Sequence, residues 1–298
     1  MSDAPRQTAL HGIYFKLSAL VLFCTMDAMV KGLGGTYGSF QLMVFRSGVA
    51  LVPVAVLIWH AGGIRVVRSN RPWLQALRVT IGFGSMFGFF YAFPRMPLVD
   101  AYAISFSAPL FMVALSVLIL GEPVGWRRWT AVGVGFAGVL IMLDPWGIEF
   151  HAVSLIILAA TFCYSLSTVM VRLLSRHDPD VVTLFWFAIV GTVISLACAV
   201  PEWIWPPAMD WVWLLTLGLL GGFAQILITR AWRLAPAAVL APFDYVSIIL
   251  AMAFGYLWFK EEPSWTVWYG LPLVIGSGLY ILHRERVRAR ERKKSLIP

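Results

Sequence analysis

Apolar residues fall in ten runs along the chain, near residues 10–32, 40–60, 73–93, 97–120, 126–143, 151–173, 181–200, 211–233, 236–259 and 265–283, and the short connections between them hold most of the charges. A helix needs about 20 apolar residues to cross the hydrocarbon of a bilayer, and in lipid a spanning segment must satisfy its backbone hydrogen bonds internally. The pattern therefore predicts ten transmembrane helices. The first run is too long for the apolar core of a cleavable leader and contains Lys16, Asp27 and Lys31, so it reads as a retained helix. No connection is long enough for a separate soluble domain, and only the last dozen residues read as a solvated tail with a composition that suits disorder.

The runs repeat. Sliding the chain by 140 residues sets 73–141 on 213–281, and 15 of the 69 positions are identical. Trp73 meets Trp213, Gly82 meets Gly222, Phe83 meets Phe223, Ser107 meets Ser247, and Glu122-Pro123 meets Glu262-Pro263. The chain divides into a first five-helix repeat (10–143), a second (151–283) and a basic tail (284–298). Five is odd, so the second repeat must enter the membrane upside down relative to the first. The predicted fold class is an all-α membrane protein of ten transmembrane helices in two inverted five-helix repeats, an arrangement many carriers use to open alternately to either side of a central site.

Composition agrees. Only 13% of residues are charged and 60% are apolar, whereas soluble domains carry about 25% charged residues. The net charge of +8 would suit nucleic acid, but seven of the 23 Lys and Arg lie in the tail and most others flank apolar runs. With the N-terminus in the cytoplasm, 17 basic residues fall on that side and three on the other, a positive-inside bias that makes both termini cytoplasmic. The expected partners are lipid and a small-molecule substrate, with no nucleic acid. Cys24, Cys163 and Cys198 are scattered through apolar runs with no metal-ligand or redox spacing, so no metal, cofactor or disulfide is expected. No motif of a metalloprotease or serine hydrolase stands out, and no catalytic residue is assigned.

Ionisable groups within the spans are the candidate site, because each costs at least about 2.5–3.5 kcal/mol to insert at the centre of a spanning helix. Asp244 lies eight residues into the ninth span, about 12 Å deep, two residues after Pro242, which frees a backbone carbonyl and loosens the helix. It is a candidate cation partner or proton carrier, against the alternative of a structural pair with Arg78 or Gln225. Asp27 and Lys31 stand four apart, on one helix face, and Arg46 enters from the same side. They form either a self-neutralising packing cluster or a gate. Arg78 either snorkels or meets a substrate carboxylate, and Lys16 is expected to snorkel. Gln225, Ser105, Tyr164 and Tyr245 supply neutral polar groups, with Tyr102, Phe106 and Phe83 as cavity-lining aromatics, although aromatics on membrane helices more often pack or face lipid. Gly84-xxx-Gly88 and Gly218-xxx-Gly222 recur in equivalent helices and suggest a tight, sliding contact.

Several stretches resemble the drug/metabolite transporter superfamily in its ten-helix EamA type: Phe45-Arg46, Arg71-Pro72, the segment from Asp100 to Phe111, the segment from Leu120 to Trp129, and Ala241-Pro-Phe-Asp-Tyr245. The resemblance implies a cavity lined by spans 1, 3, 4, 6, 8 and 9, with spans 2 and 7 contributing to gating. Mapped onto this chain, that places Asp27, Phe83, Tyr102, Ser105, Phe106, Tyr164, Gln225, Asp244 and Tyr245 at or near the cavity. Many members carry Asn where this chain has Asp27. The implied activity is secondary transport of a small organic metabolite by alternating access in a bacterial cytoplasmic membrane. An amino-acid-derived cation or zwitterion such as S-adenosylmethionine, or an amino acid, is the leading substrate; a riboflavin-type vitamin and a non-transporting module such as a scramblase are the alternatives. Transport direction, proton coupling and oligomeric state stay open.

Overall fold

The computed structural model describes residues 4–120, 125–144, 152–174, 177–235 and 237–294, and no strand occurs among them. The helices are α1 (Ala4–Leu33), α2 (Ser39–His60), α3 (Pro72–Ala92), α4 (Leu98–Ser105), α5 (Ala108–Leu120), α6 (Trp126–Leu143), α7 (Ala152–Leu174), α8 (Asp180–Ala199), α9 (Ala208–Leu234), α10 (Ala237–Leu240), α11 (Val246–Phe259) and α12 (Trp265–Lys294). Eight helical segments among the described residues are long and apolar enough to cross a membrane, and two shorter apolar ones, Trp129–Leu143 and Phe243–Phe259, complete ten crossings. Ten crossings put both chain ends at one end of the bundle, called here the termini end; the other is the far end.

Neighbour relations follow the repeat. α2 packs on α8 and α6 on α12, which are the second span on the seventh and the fifth on the tenth. α1 packs on α9 and α3 on α7, the first on the eighth and the third on the sixth. Exchanging the halves maps each of these contacts onto itself or onto another in the set. The two repeats are therefore interlocked rather than placed side by side.

Two spans expected to be single helices are interrupted. The fourth breaks between Ser105 and Ala108, and the ninth passes through a 3-10 segment, Ala241–Tyr245, before α11. Position 105 of the first repeat corresponds to 245 of the second, so both breaks fall at one repeat position. Pro109 explains the first: it has no N–H to give and its ring crowds the carbonyl four residues back, that of Ser105. Pro242 lies within the second. A carbonyl exposed at the first break is recovered by the Ser165 hydroxyl, which donates to Ala108 O at 3.2 Å.

Close helix contact depends on glycine, through both glycines of the second paired motif but only one of the first. A Cβ on Gly84 would meet nothing within 4 Å, whereas one on Gly88 would lie 2.7 Å from Ala160 of α7. A Cβ on Gly222 would lie 2.8 Å from Pro53 and 3.1 Å from the Ala50 Cα, both on α2. The symmetry-related contact belongs to Gly82, whose Cβ would lie 3.0 Å from the Phe187 ring of α8. The repeat-aligned pair Gly82 and Gly222 makes the equivalent contacts, and the second motif also packs as a unit, since a Cβ on Gly218 would lie 2.5 Å from the Val49 Cβ, again on α2. α12 also continues to Lys294, so the expected loose tail is helical through that residue. Glu122, Pro123, Arg176 and residues 295–298 lie outside the described residues.

Large apolar side chains remain on the outside of the bundle, among them Val52, Trp59, Trp73, Leu118, Trp126, Ile249, Leu257 and Trp268. A contiguous apolar exterior of this kind marks contact with another apolar phase. Here that phase is lipid.

Candidate functional site

The interrupted spans meet near the middle of the bundle. The Phe106 ring, next to the break in the fourth span, stacks on Tyr245 at the break in the ninth, with centroids 5.0 Å apart and planes at 15°. Beside this pair, Lys16 Nζ of α1 lies 2.5 Å from Asp244 Oδ1. The Lys16 side chain is 4% exposed while that of Asp244 is 39% exposed. Lys16 therefore does not snorkel. It turns inward and partners the Asp244 carboxylate, for which the sequence offered Arg78 or Gln225 as the alternative structural partner. Both charges thus have a partner, as membrane-buried charges require. Tyr164 of α7 lies within electrostatic range of Asp244 and is about half exposed.

A second cluster spans the middle of the bundle, with Asp27 and Tyr102 on its far side and Arg78 and Gln225 on its termini side. The Tyr102 hydroxyl donates to Asp27 Oδ2 at 2.6 Å, and Arg46 is close enough for its charge to act on Asp27 without an ion pair within 4.0 Å. Arg46 lies over the Phe187 ring with its guanidinium carbon 5.6 Å from the centroid, and Arg78 lies over the same ring at 4.8 Å. Gln225 lines a small cavity with Arg46 and Phe187. Phe83 belongs to a wall of rings, 6.5 Å from Phe40, which stacks on Phe87 at 4.6 Å. Ser105 donates to Ala101 O at 2.6 Å, back onto its own helix, rather than presenting its proton to a cavity.

Lys31 corrects the expected Asp27–Lys31 pairing. Its ammonium lies 2.6 Å from Glu261 Oε1 and donates to Phe93 O at 3.0 Å and Met96 O at 2.5 Å. Glu261 Oε2 accepts from Leu98 N at 3.1 Å, and Asp100 accepts from the Ser264 backbone N–H at 3.1 Å and from the Ser264 hydroxyl. This network ties the far end of α1 to the links entering α4 and α12. Two further ties close the same end: Tyr37 donates to Asp210 at 2.6 Å, and the Gln41 amide exchanges hydrogen bonds with both backbone groups of Ile204. Burial, with the Asp210 carboxylate beside it, pushes the Tyr37 hydroxyl up to about 12. At the termini end, Asp178 accepts from Ser69 at 2.5 Å and from Asn70 N at 2.8 Å, joining the α2–α3 and α7–α8 links.

Sequence reasoning singled out twelve of the residues in these two clusters but passed over Phe187, which carries no polar signal; in the Lys31 network it overlooked Glu261 beside the repeat-matched Glu262. Lys16 was noted and assigned the wrong environment.

Paired discontinuous spans, interlocked inverted halves and charges partnered near the middle define a polytopic carrier architecture. A model of the EamA-like transporter family matches twice, over residues 10–144 and 151–282, and the chain belongs to that family. It is 30% identical over 289 residues to the S-adenosylmethionine uptake transporter of Rickettsia prowazekii, covering 96% of this chain and 97% of that one. It is 29% identical to the riboflavin transporter of Vibrio cholerae, with 95% and 97% covered. It is 26% identical to the pseudopaline exporter CntI of Pseudomonas aeruginosa, with 85% and 89% covered. A solved crystal structure shares the fold, with a TM-score of 0.65 and 20% identity over 90% of this chain and 95% of that one.

Proposed function

We propose that this chain is a secondary carrier that moves a small amino-acid-derived metabolite by alternating access, with S-adenosylmethionine the leading candidate and no enzymatic activity of its own. The observation that carries the reading is the junction of the two interrupted spans, where the Phe106–Tyr245 stack adjoins the Asp244–Lys16 pair. Stacked rings suit a flat heterocycle and a carboxylate suits a cation. Because Lys16 already sits on Asp244, an incoming cation would displace that ammonium instead of meeting a bare carboxylate. The relatives named for S-adenosylmethionine uptake support the substrate class. Residues 10–143 and 151–283 act as the two moving halves, and Lys31, Asp27 and Arg46 belong to the far-end gate. The positive-inside bias supports a bacterial cytoplasmic membrane with the termini end in the cytoplasm.

The test is uptake of labelled S-adenosylmethionine by purified protein in liposomes, with and without a pH gradient. Wild type should accumulate label, and Asp244→Asn should lose most of the rate. Unchanged uptake in Asp244→Asn would remove that residue from the site, and a flat response to the gradient would exclude proton drive. The aromatic stack also favours a second reading, a riboflavin-like solute, which competition by riboflavin in the same assay would reveal.

A further inference from the structure

Two guanidinium groups share one aromatic ring in the interior, and neither has a carboxylate within 4.0 Å among the described residues. Asp27, the negative group whose charge acts on Arg46, accepts the Tyr102 hydroxyl. Arg46 is 8% exposed. Arg78 makes one long hydrogen bond, Nη1 to Thr183 O at 3.4 Å, and its Nε is buried without a partner. The two charges are near enough to act on each other. Beside Arg46 lies a cavity of about 20 Å³, room for a single water, lined by Phe187, Gly221, Gly222 and Gln225 among others. A Cβ on Gly221 would lie 2.9 Å from Met26 Sδ, 3.4 Å from Arg46 Cγ and 3.5 Å from its Nε, so at this position of α9 a glycine backbone faces the guanidinium stem.

A buried guanidinium is costly unless an anion and hydrogen-bond acceptors compensate it. A cation–π contact with Phe187 recovers part of that cost but leaves the in-plane N–H donors unused apart from the one long bond from Arg78 to Thr183 O. Those donors fit a carboxylate in a planar, two-point geometry. A purely structural role would be expected to supply an acceptor from the protein, as Glu261 does for Lys31.

We infer that Arg46, with Arg78 on the same Phe187 ring and Gln225 beside it, forms an anion subsite that holds the carboxylate of the transported solute. The inference rests on the carrier reading above. It divides the solute between two subsites, the carboxylate at Arg46 and Arg78 and the cationic, aromatic part at Asp244, Phe106 and Tyr245. A carboxylate needs more room than one water, so its entry goes with separation of α2 from α9 along the Gly221–Gly222 face.

Transport of S-adenosylmethionine and of its decarboxylated counterpart is compared in wild type, Arg46→Gln, Arg46→Lys and Arg78→Gln, each checked for a monodisperse folded state. Wild type should favour the carboxylated form at least about 10-fold in KM, equivalent to about 1.4 kcal/mol. Arg46→Gln and Arg78→Gln should lose that preference, with Arg46→Lys intermediate. Preference retained in both glutamine variants overturns the inference. If wild type carries neither compound, the proposed substrate fails, and a second arm decides the subsite alone. In that arm the thermal stability of detergent-purified protein is followed against millimolar sodium sulfate, with sodium chloride of equal ionic strength as control. A sulfate shift present in wild type and abolished in Arg46→Gln upholds the anion subsite. No shift, or the same shift in every protein as expected from general exclusion of sulfate, overturns it.

Discussion

Replacing Lys31 by methionine should open the far end of the bundle. The ammonium forms one ion pair at 2.6 Å and two hydrogen bonds to carbonyls at 3.0 and 2.5 Å, with Lys31 and Glu261 side chains 8% and 21% exposed. Breaking a fully buried pair costs about 3–5 kcal/mol; the partial exposure of Glu261 places this one near the low edge, about 3 kcal/mol. If these contacts exist only while the far end is closed, the closed-to-open equilibrium shifts by roughly 100-fold, since about 1.4 kcal/mol is a factor of ten. Cys24 is a native reporter. It is fully buried, and it lies seven residues inward of Lys31 on α1, about 10 Å deeper. In a background with Cys163 and Cys198 changed to alanine, a membrane-impermeant maleimide added from the far side should label Cys24 at least about tenfold faster in Lys31→Met than in the parent, the minimum expected from that shift. Glu261→Gln should show the same direction, and the double substitution should add little to Lys31→Met, because both break the same ion pair. An unchanged labelling rate in Lys31→Met, or additive effects in the double variant, would refute the assignment of this network as the far-end seal.

Two other outcomes follow from packing. Phe106→Ala removes the ring stacked on Tyr245; aromatic pairs contribute about 0.5–1.5 kcal/mol beyond their buried area, so KM for an aromatic substrate should rise about three- to tenfold with little change in thermal stability. An unaltered KM would take the stack out of the binding site. Gly138→Val pushes a side chain into the α6–α12 contact, where even a Cβ would lie 2.7 Å from Gly270 O. Overpacking of this kind costs about 1–3 kcal/mol, and a melting curve should show a clear loss, whereas Gly84→Val, facing open space, should melt like wild type.

The ten crossings were legible because lipid imposes a length and a polarity on any spanning segment, and the inversion followed from an odd count in a visible repeat. The interruptions were only half legible. Pro242 was recognised as loosening the ninth span, while Pro109, with the same chemistry, passed as part of an apolar run. Partnerships between charges were the least legible part. Asp27 and Lys31 stand at the spacing of a helical ion pair, yet Tyr102 takes one and Glu261 the other. Spacing along one helix says which groups share a face, but a long lysine side chain near a helix end can choose among acceptors brought by other segments. The Lys16–Asp244 pair joins residues 228 apart in the chain, and only the folded interface of α1 with the ninth span brings them together.

The interruptions of the fourth and ninth spans carry a mechanical consequence. α4 has 8 residues and α11 has 14, so at about 1.5 Å per residue neither stub crosses the hydrocarbon unaided. Each of these crossings is two rigid rods with a built-in elbow, and the elbows touch through Phe106 and Tyr245. Swivelling there ruptures no continuous α-helical ladder, since the ladder of the fourth span restarts at Ser107 and the ninth span passes its elbow in the tighter 3-10 pattern. The resistance to rocking one half against the other is thus lowered at the spot where a bound solute would feel the movement.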